Sequence, residues 1–503
     1  MKLEAKNILF SIADGFRREV FVKRLSSPLG LGVLLFMALV SGFLAAKDLF
    51  IVPFALGGAL IGITVVVFCL FKPYIAYYLV TILAFFIFFP SHLIGYDIKV
   101  AMALEILILF LFFGTMLHKK ANPLAKNDLI KTPIAILFML NVIMFLLEAF
   151  NPNVPNLAGW YTPTRRLLVY VLVFILSYRL FDSFAKVKQF INAWIILSFI
   201  CALYGCYQQW FGYLPSEIRY IMSRPGEFEL MFQGGQFRKF SFLSDVVTFG
   251  ILCGSMSVLT LLLGINEKNK RWRYFLFFAT LILLLGMAYS GTRTTNIMLP
   301  SGMALYGFIT IQKKRTLLAL FGMVMLAMFV LFAPIYNNPT LNRMRTTFDS
   351  KESSLNVRDV NRKYIQPYIH AHAFGGGIST SGVEGASFYP GHPLAGFPPD
   401  SGLLKAALEL GWMGLALMIL FNLVILYQGI YYYFRMQVAE YKKYVVVILC
   451  SLFPMMVALY SQNAIGQIPT ALFYYSVISI IKRLKEFDDE FIVNSQERNK
   501  SIN

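Results

Sequence analysis

Apolar stretches close to the roughly 20 residues needed to cross a bilayer recur between residues 29 and 481, and most carry no charged side chain. In hydrocarbon each backbone amide must be paired within its own segment or a closed barrel, so such stretches form helices and not open strands. The expected fold class is all-α, a polytopic transmembrane helix bundle of about fourteen spans. Composition agrees: 14% of residues are charged and the mean hydropathy is +0.64, whereas ordinary globular chains carry about 25% charge.

The spans are expected at 29–46, 49–71, 74–90, 100–116, 132–150, 167–181 and 190–211 in the first half. The second half places them at 240–265, 274–289, 294–311, 317–334, 406–434, 444–460 and 464–481. The formal net charge of +19 would suggest nucleic acid in a soluble chain, but here the cations cluster in alternate loops, among them Lys119 and Lys120, Lys186 and Lys188, Lys268 to Arg273, and Lys442 and Lys443. That alternation is the positive-inside pattern, so no nucleic-acid partner is expected. It puts both termini in the cytoplasm.

The resulting organisation has five parts. Residues 1–28 form a cytoplasmic basic amphipathic segment, with Leu9, Phe10, Phe16 and Val20 spaced among Arg17, Arg18 and Lys23 as in a helix lying on a membrane. Residues 29–334 hold spans one to eleven, 335–401 form a large outer loop, 402–481 hold the last three spans, and 482–503 form a cytoplasmic tail. All five cysteines fall within apolar spans, where a small buried hydrophobe is the expected role. Trp160, Tyr161, Trp210, Phe388 and Tyr389 lie near outer segments, at the depth where interfacial aromatic belts form.

Chemistry is expected on the outer side, where three connections are long. They carry many cations, including Arg165, Arg166, Arg219, Arg238, Arg343, Arg358 and Arg362. Arg293 stands apart, in the very short turn Tyr289-Ser-Gly-Thr-Arg-Thr-Thr-Asn296 between two apolar spans. Its guanidinium must sit at or just beneath the interface, where an ionisable group is a functional-site hypothesis, unless it merely snorkels to lipid phosphate. Guanidinium groups grip phosphate in a bidentate way, so a cluster of them suggests a diphosphate ligand.

Four segments resemble the bacterial O-antigen ligase and polysaccharide polymerase superfamily, whose members are multi-span proteins with a large periplasmic loop late in the chain. The first is Gly234-Gly-Gln-Phe-Arg-Lys-Phe-Ser-Phe-Leu-Ser-Asp245 running into a span, and the second Ser290-Gly-Thr-Arg293. The third is Asn356-Val-Arg-Asp359 followed by Pro367 and Phe374-Gly-Gly-Gly-Ile378; the fourth is Pro399-Asp-Ser-Gly-Leu403 leading to Glu409-Leu-Gly-Trp-Met-Gly414.

The resemblance implies a bacterial inner-membrane glycosyltransferase. It would move an undecaprenyl-diphosphate-linked oligosaccharide at the periplasmic face to a glycan acceptor, lipid A core or another lipid-linked repeat, with inversion and without a metal or other cofactor. On this reading the diphosphate ligands are Arg293 and Arg238, then Arg358 and Arg166. Where the family's ligases place a His-Asn pair this chain has Asp400-Ser401, so the proton acceptor is Asp400 or His392; Asp400 also has a reading as a helix cap and His392 as a backbone-bonded loop residue. His370 and His372 are the one close His pair, and at i, i+2 they do not share a helix face. The alternative function is a transporter or flippase for lipid-linked sugar, whose mark would be charged or broken helices near the midplane; Glu105, Glu148, Asp245 and the Pro300–Gly302 step are its candidates.

Overall fold

The computed structural model describes residues 51–96, 101–117, 129–224, 227–233, 235–312 and 353–502, with isolated positions between 28 and 36 and between 317 and 345. The amphipathic segment 1–28 and the loop residues 335–352 lie almost wholly outside the described residues, as does most of the expected first span, and of the eleventh span, 317–334, scattered helical positions are described.

The described chain is helical apart from one two-stranded hairpin. In order the helices are α1 (Ile51–Phe71), α2 (Pro73–Phe86), α3 (Phe89–Ile94), α4 (Ala101–Leu117), α5 (Pro133–Leu147), α6 (Tyr161–Leu180) and α7 (Phe184–Phe211). Next come α8 (Pro215–Met222), α9 (Glu227–Met231), β1 (Phe232–Gln233), β2 (Gln236–Phe237), α10 (Val246–Asn266), α11 (Lys270–Tyr289), α12 (Arg293–Asn296) and α13 (Met298–Thr310). The rest are α14 (Ser353–Ala371), α15 (Gly382–Phe388), α16 (Gly402–Glu409), α17 (Gly411–Arg435), α18 (Ala439–Ala458) and α19 (Thr470–Ile502).

Among the described residues seven stretches are long and apolar enough to cross a membrane: Pro73–Ile94, Pro133–Phe150, Phe184–Phe211, Val246–Asn266, Lys270–Tyr289, Gly411–Arg435 and Ala439–Ala458. The chain is therefore an all-α integral membrane protein. The expected second span appears as α1, Ile51–Phe71, and the fourth as the shorter apolar helix Ala101–Leu117. Three more are helical but fall short of a full apolar span. α6 carries Arg165, Arg166 and Arg179, α13 has 13 residues, and α19 begins only at Thr470 and runs on into charged sequence.

The chain divides into two compact units, residues 1–80 with 103–120 and residues 81–102 with 121–503. In the first, α1 and α4 touch backbone to backbone, since a Cβ on Gly114 would overlap the carbonyl of Cys69. In the second, α10 is the central helix; 89% of its apolar stretch is buried. Its small residues explain this: a Cβ on Gly250 would meet Ser290 Oγ at 2.6 Å, and one on Gly254 would meet Met298 Sδ at 2.7 Å. Lipid tails are as apolar as Leu, so helices in a membrane associate through such close approach and through interhelical hydrogen bonds, each about 0.6 kcal/mol. Ser255 Oγ donates to the Ser451 carbonyl at 2.7 Å, and the Thr260 and Thr280 hydroxyls pair at 2.8 Å.

The expected twelfth span, 406–434, is two helices. α16 ends at Glu409 and α17 starts at Gly411, whose φ of +65° lies in the left-handed region that costs a side-chain-bearing residue energy. A Cβ there would overlap the Ala373 carbonyl, so the bend and the loop that packs into it require glycine at 411. Asp245, a transporter candidate, caps α10 by accepting from the amides of Val247 and Thr248 at 2.8 and 2.9 Å. Glu148 sits at the end of α5, accepting from Asn151 Nδ2 at 2.8 Å. Neither residue lies at mid-helix; Glu105 does, buried within α4.

Candidate functional site

The site begins with the hairpin. β1 and β2 pair antiparallel, Phe232 opposite Phe237, and deliver Arg238 into the bundle with 9% of its surface exposed. Three of its nitrogens are engaged: Nε donates to the Ser290 carbonyl (3.0 Å), Nη1 to the Leu230 carbonyl (3.1 Å) and Nη2 to Thr292 Oγ1 (2.8 Å). The neighbouring Lys239 amide donates to the Tyr289 carbonyl at 3.0 Å. Arg238 thus clasps the turn Ser290-Gly-Thr292 that precedes Arg293. Gly291 in that turn has φ +59°.

The anchor is itself built from buried polar groups. Ser241, at φ +59°, takes Gln208 Oε1 on its amide (2.8 Å) and donates its hydroxyl to the Cys201 carbonyl (2.7 Å). Glu217, fully buried, accepts from Gln208 Nε2 (2.7 Å), Tyr204 OH (3.0 Å) and the Leu214 amide (2.8 Å). Burial raises its carboxyl above the usual range even so. Lys239 lies over the Tyr213 ring at 4.5 Å, and burial pulls its ammonium down to about 8, opposed by Glu217.

Arg293 opens α12 and is half-buried. The next residue, Thr294, pairs its hydroxyl with Ser461 Oγ at 2.7 Å, so the second motif docks on the turn at 459–463. Two further elements converge on this turn. Arg362 of α14 donates to Tyr460 OH (2.9 Å) and to the Tyr460 carbonyl (3.2 Å), and its guanidinium lies 4.7 Å over the Tyr460 ring. It also meets Asp400 Oδ2 at 3.4 Å. The amides of Gly402 and Leu403 donate to the Gln462 and Leu459 carbonyls, both at 3.3 Å.

The cap of α16 is Ser401, whose Oγ accepts from the Leu404 amide at 2.9 Å, and not Asp400. Asp400, one residue earlier, turns its largely buried carboxylate to Arg362. His392 sits in another cluster: its Nδ1 accepts from the Leu394 amide (3.1 Å), and Tyr368 meets it edge-on at 6.5 Å. Burial and the neighbouring His372 lower its pKa. His372 stacks on Tyr368 at 4.0 Å and His370 lies against Trp412 at 5.8 Å, so the two rings meet different partners. Arg358 belongs to α14, but its side chain is outside the described residues.

On the other side of the 459–463 turn lies a cavity of about 270 Å³, walled there by Gly402, Leu459 and Asn463. Its depth follows α17 from Gly414 to Asn422, which is about 12 Å at 1.5 Å per residue. Phe138, Tyr170 and Tyr475 form a stacked aromatic wall, with ring centroids 5.1 and 4.8 Å apart. The rim is charged: Arg166, Glu384, Lys405 and Glu409. Lys405 pairs with Glu384 at 2.7 Å and approaches Glu409 at 3.8 Å. That pairing outweighs burial in Glu384, whose carboxyl falls below the usual range, while burial raises the carboxyl of Glu409. Arg166 is half-buried at this rim, and among the described residues it makes no hydrogen bond or ion pair.

Glu409 also joins the third and fourth motifs. Its carboxylate accepts from the Ser379 amide (3.1 Å), the Ser381 amide (3.4 Å) and Ser381 Oγ. The Gly376 and Gly377 amides donate to the Leu408 and Glu409 carbonyls at 2.8 and 3.0 Å. The triple glycine is a packing surface: a Cβ on Gly375, at φ +72°, would meet the Glu409 carbonyl at 2.5 Å. The segment 151–160 lies over it, with Asn153 Nδ2 bonded to the Gly375 carbonyl (2.9 Å) and the Gly159 amide to Tyr389 OH (2.8 Å). Tyr389 is therefore a buried strut, 2% exposed, whereas Tyr161 and Trp210 are exposed as belt residues are.

Of the expected site residues, Arg293 reaches the 459–463 turn through the neighbouring Thr294 and Asp400 through Arg362, Arg238 holds the 290–292 turn that precedes Arg293, Arg166 lines the adjoining cavity and His392 is elsewhere. Arg362, Lys405, Glu384 and Glu409 were not singled out by sequence. Only Glu409 lay in a quoted motif, and an i, i+4 Lys405–Glu409 pair is the local signal that marks it.

Residues 250–419 match the family model described as O-antigen ligase. No curated protein matches the chain.

Proposed function

Because residues 250–419 place the chain in the O-antigen ligase and polysaccharide polymerase superfamily, we propose that this membrane glycosyltransferase transfers or polymerises an undecaprenyl-diphosphate-linked oligosaccharide. The acceptor is a glycan hydroxyl, of lipid A core or of another lipid-linked repeat. The reading sets the chain in the bacterial inner membrane with fourteen spans, both termini cytoplasmic and 335–401 periplasmic. The observation that carries it is the meeting of Arg293's helix and of Arg362, which also pairs with Asp400, on one turn, 459–463, that walls a cavity lined by Arg166.

A lipid diphosphate is already a good leaving group, so the protein's tasks are orientation and neutralisation of developing charge. The acceptor oxygen attacks the anomeric carbon opposite the diphosphate, and the bond from that carbon to the diphosphate oxygen breaks with its electron pair leaving on the diphosphate. Arg293 and Arg166 face that charge; Arg238 holds the turn that carries Arg293. Asp400 takes the hydroxyl proton, with Arg362 orienting its carboxylate. His392 is the weaker base, because its Nδ1 already accepts from Leu394. Direct displacement inverts the anomeric centre, and no step needs a metal.

Transfer by the purified protein from a synthetic undecaprenyl-diphosphate oligosaccharide, with EDTA present, tests this reading. Removal of one charge-stabilising contact costs roughly 100- to 1,000-fold in rate, so Arg293→Ala should fall by that factor and Asp400→Ala at least as far. Product length separates a polymerase from a ligase. Wild-type protein that joins nothing but moves the lipid between leaflets would replace the enzyme with the transporter.

A further inference from the structure

The second large cavity lies at the opposite end of the bundle. α10 begins beside Ser290 and ends at Asn266, a run of about 30 Å at 1.5 Å per residue, and Asn266 lines a cavity of about 620 Å³. Four ammonium groups from three separate elements converge on it: Lys188 of α7, Lys268 of the α10–α11 connection, and Lys442 and Lys443 of α18. Glu267 and Glu440 are its only acidic lining residues among those described.

The two carboxylates offset only part of this charge, Glu267 and Glu440 both acting on Lys443 and Glu440 also on Lys188 and Lys268. Glu440 pairs with Lys188 at 2.7 Å. Glu267 turns back on its own loop, where Oε1 accepts from the amides of Lys268 and Asn269 at 2.9 and 3.0 Å. Among the described residues no carboxylate lies at ion-pair distance from Lys268, Lys442 or Lys443. Four positive against two negative side chains leave two charges in excess. The long helix α18 also starts here, with Ala439 in the lining, but its entry is already met by the buried Asp488 carboxylate, which accepts from the Gln437 and Val438 amides at 3.0 and 2.8 Å, so the attraction for an anion rests on the lysines. Lys270 and Arg271, in the first turn of α11, are exposed, as is Lys268 on the connection before them, but they do not line the cavity. Lys442 and Lys443 are half-buried around the hollow.

We propose that this cavity binds the phosphate headgroup of an anionic membrane lipid, a group carrying two negative charges. Basic pockets between helices at a membrane surface take such headgroups. The apolar lining from Val438, Ala439 and Val446 suits the glycerol and first acyl carbons that a free phosphate ion lacks. The site is independent of the glycosyl-transfer reading.

The test uses the full-length protein in phosphatidylcholine nanodiscs, titrated with phosphatidic acid or, separately, with inorganic phosphate, and read by thermal unfolding. Each ammonium contributes about 1 kcal/mol near the surface, which is about fivefold. Lys268→Gln with Lys443→Gln should therefore weaken phosphatidic acid about 30-fold. Lys268→Gln alone, on an exposed loop where folding is safe, should weaken it about fivefold. Lys270→Gln with Arg271→Gln removes equal charge at the same end but outside the cavity and should leave affinity within twofold. Equal loss in both double variants would reduce the effect to diffuse surface attraction and overturn the proposal. Inorganic phosphate protecting as well as the lipid at equal concentration would overturn the lipid headgroup as its ligand.

Discussion

Replacing Glu409 by Ala should release the segment 379–381 from the membrane bundle while leaving the spans folded. The wild-type carboxylate is about 5% exposed and holds two serines, through the Ser379 amide at 3.1 Å and both donors of Ser381, with Lys405 at 3.8 Å. Hydrogen bonds to a charged group are worth about 1.5–3 kcal/mol, and a buried donor left unpaired costs about 1–3 kcal/mol. Lys405 keeps Glu384 as a partner, which limits the cost on that side. The net loss of docking free energy is therefore about 2–3 kcal/mol, or roughly 30- to 150-fold in the docking equilibrium. Hydrogen exchange on the purified protein reads this directly, because opening of a docked segment sets the exchange rate of its amides. The Ser379 and Ser381 amides should exchange about 30- to 150-fold faster in Glu409→Ala, with α10 amides unchanged. Glu409→Gln, which keeps one acceptor oxygen, should lie between. Exchange at Ser379 and Ser381 within twofold of wild type would refute the assignment of Glu409 as the clasp.

Two further expectations concern the anchor behind Arg293. Arg238→Lys keeps the charge but cannot span Ser290, Leu230 and Thr292 together; an ammonium is a point charge, not a fork. Transfer should fall about 100-fold, chiefly in kcat, since a misplaced charge-stabilising group costs that much; an unchanged kcat would separate Arg238 from the Arg293 turn. Lys239 gives a pH signature: the unfolded chain holds this proton up to about 10.5, whereas burial in the folded protein releases it near about 8. Between those values the unfolded state binds more protons, so stability rises with pH, and below about 8 the penalty is fully present. The Tm of wild type relative to Lys239→Met should climb from pH 8 toward 10; a flat difference would show that Lys239 is solvated.

The long spans were legible in sequence because the bilayer imposes a length and a charge rule that act residue by residue. Uncharged runs marked the seven long spans, whereas the start of α10 at Val246, capped by Asp245, lies inside the span expected at 240–265 and emerged only from the structure. The brevity of the turn around Arg293 placed that residue at a membrane boundary without reference to any partner. What the tertiary structure decided is everything that depends on residues distant in the chain. Glu409 meets Ser379 and Ser381 across 30 and 28 positions, Arg362 meets Tyr460 across 98, and Arg238 meets Ser290 across 52. Local periodicity carries no term for such pairs. The same holds at Gly411, where an unbroken apolar run concealed a bend; the Ala373 carbonyl occupies the space a side chain would need, so only packing shows why the helix stops there. A cap is a contest between neighbours, and Ser401 takes it because Asp400 is drawn to Arg362, an attraction through space that one-dimensional order does not contain.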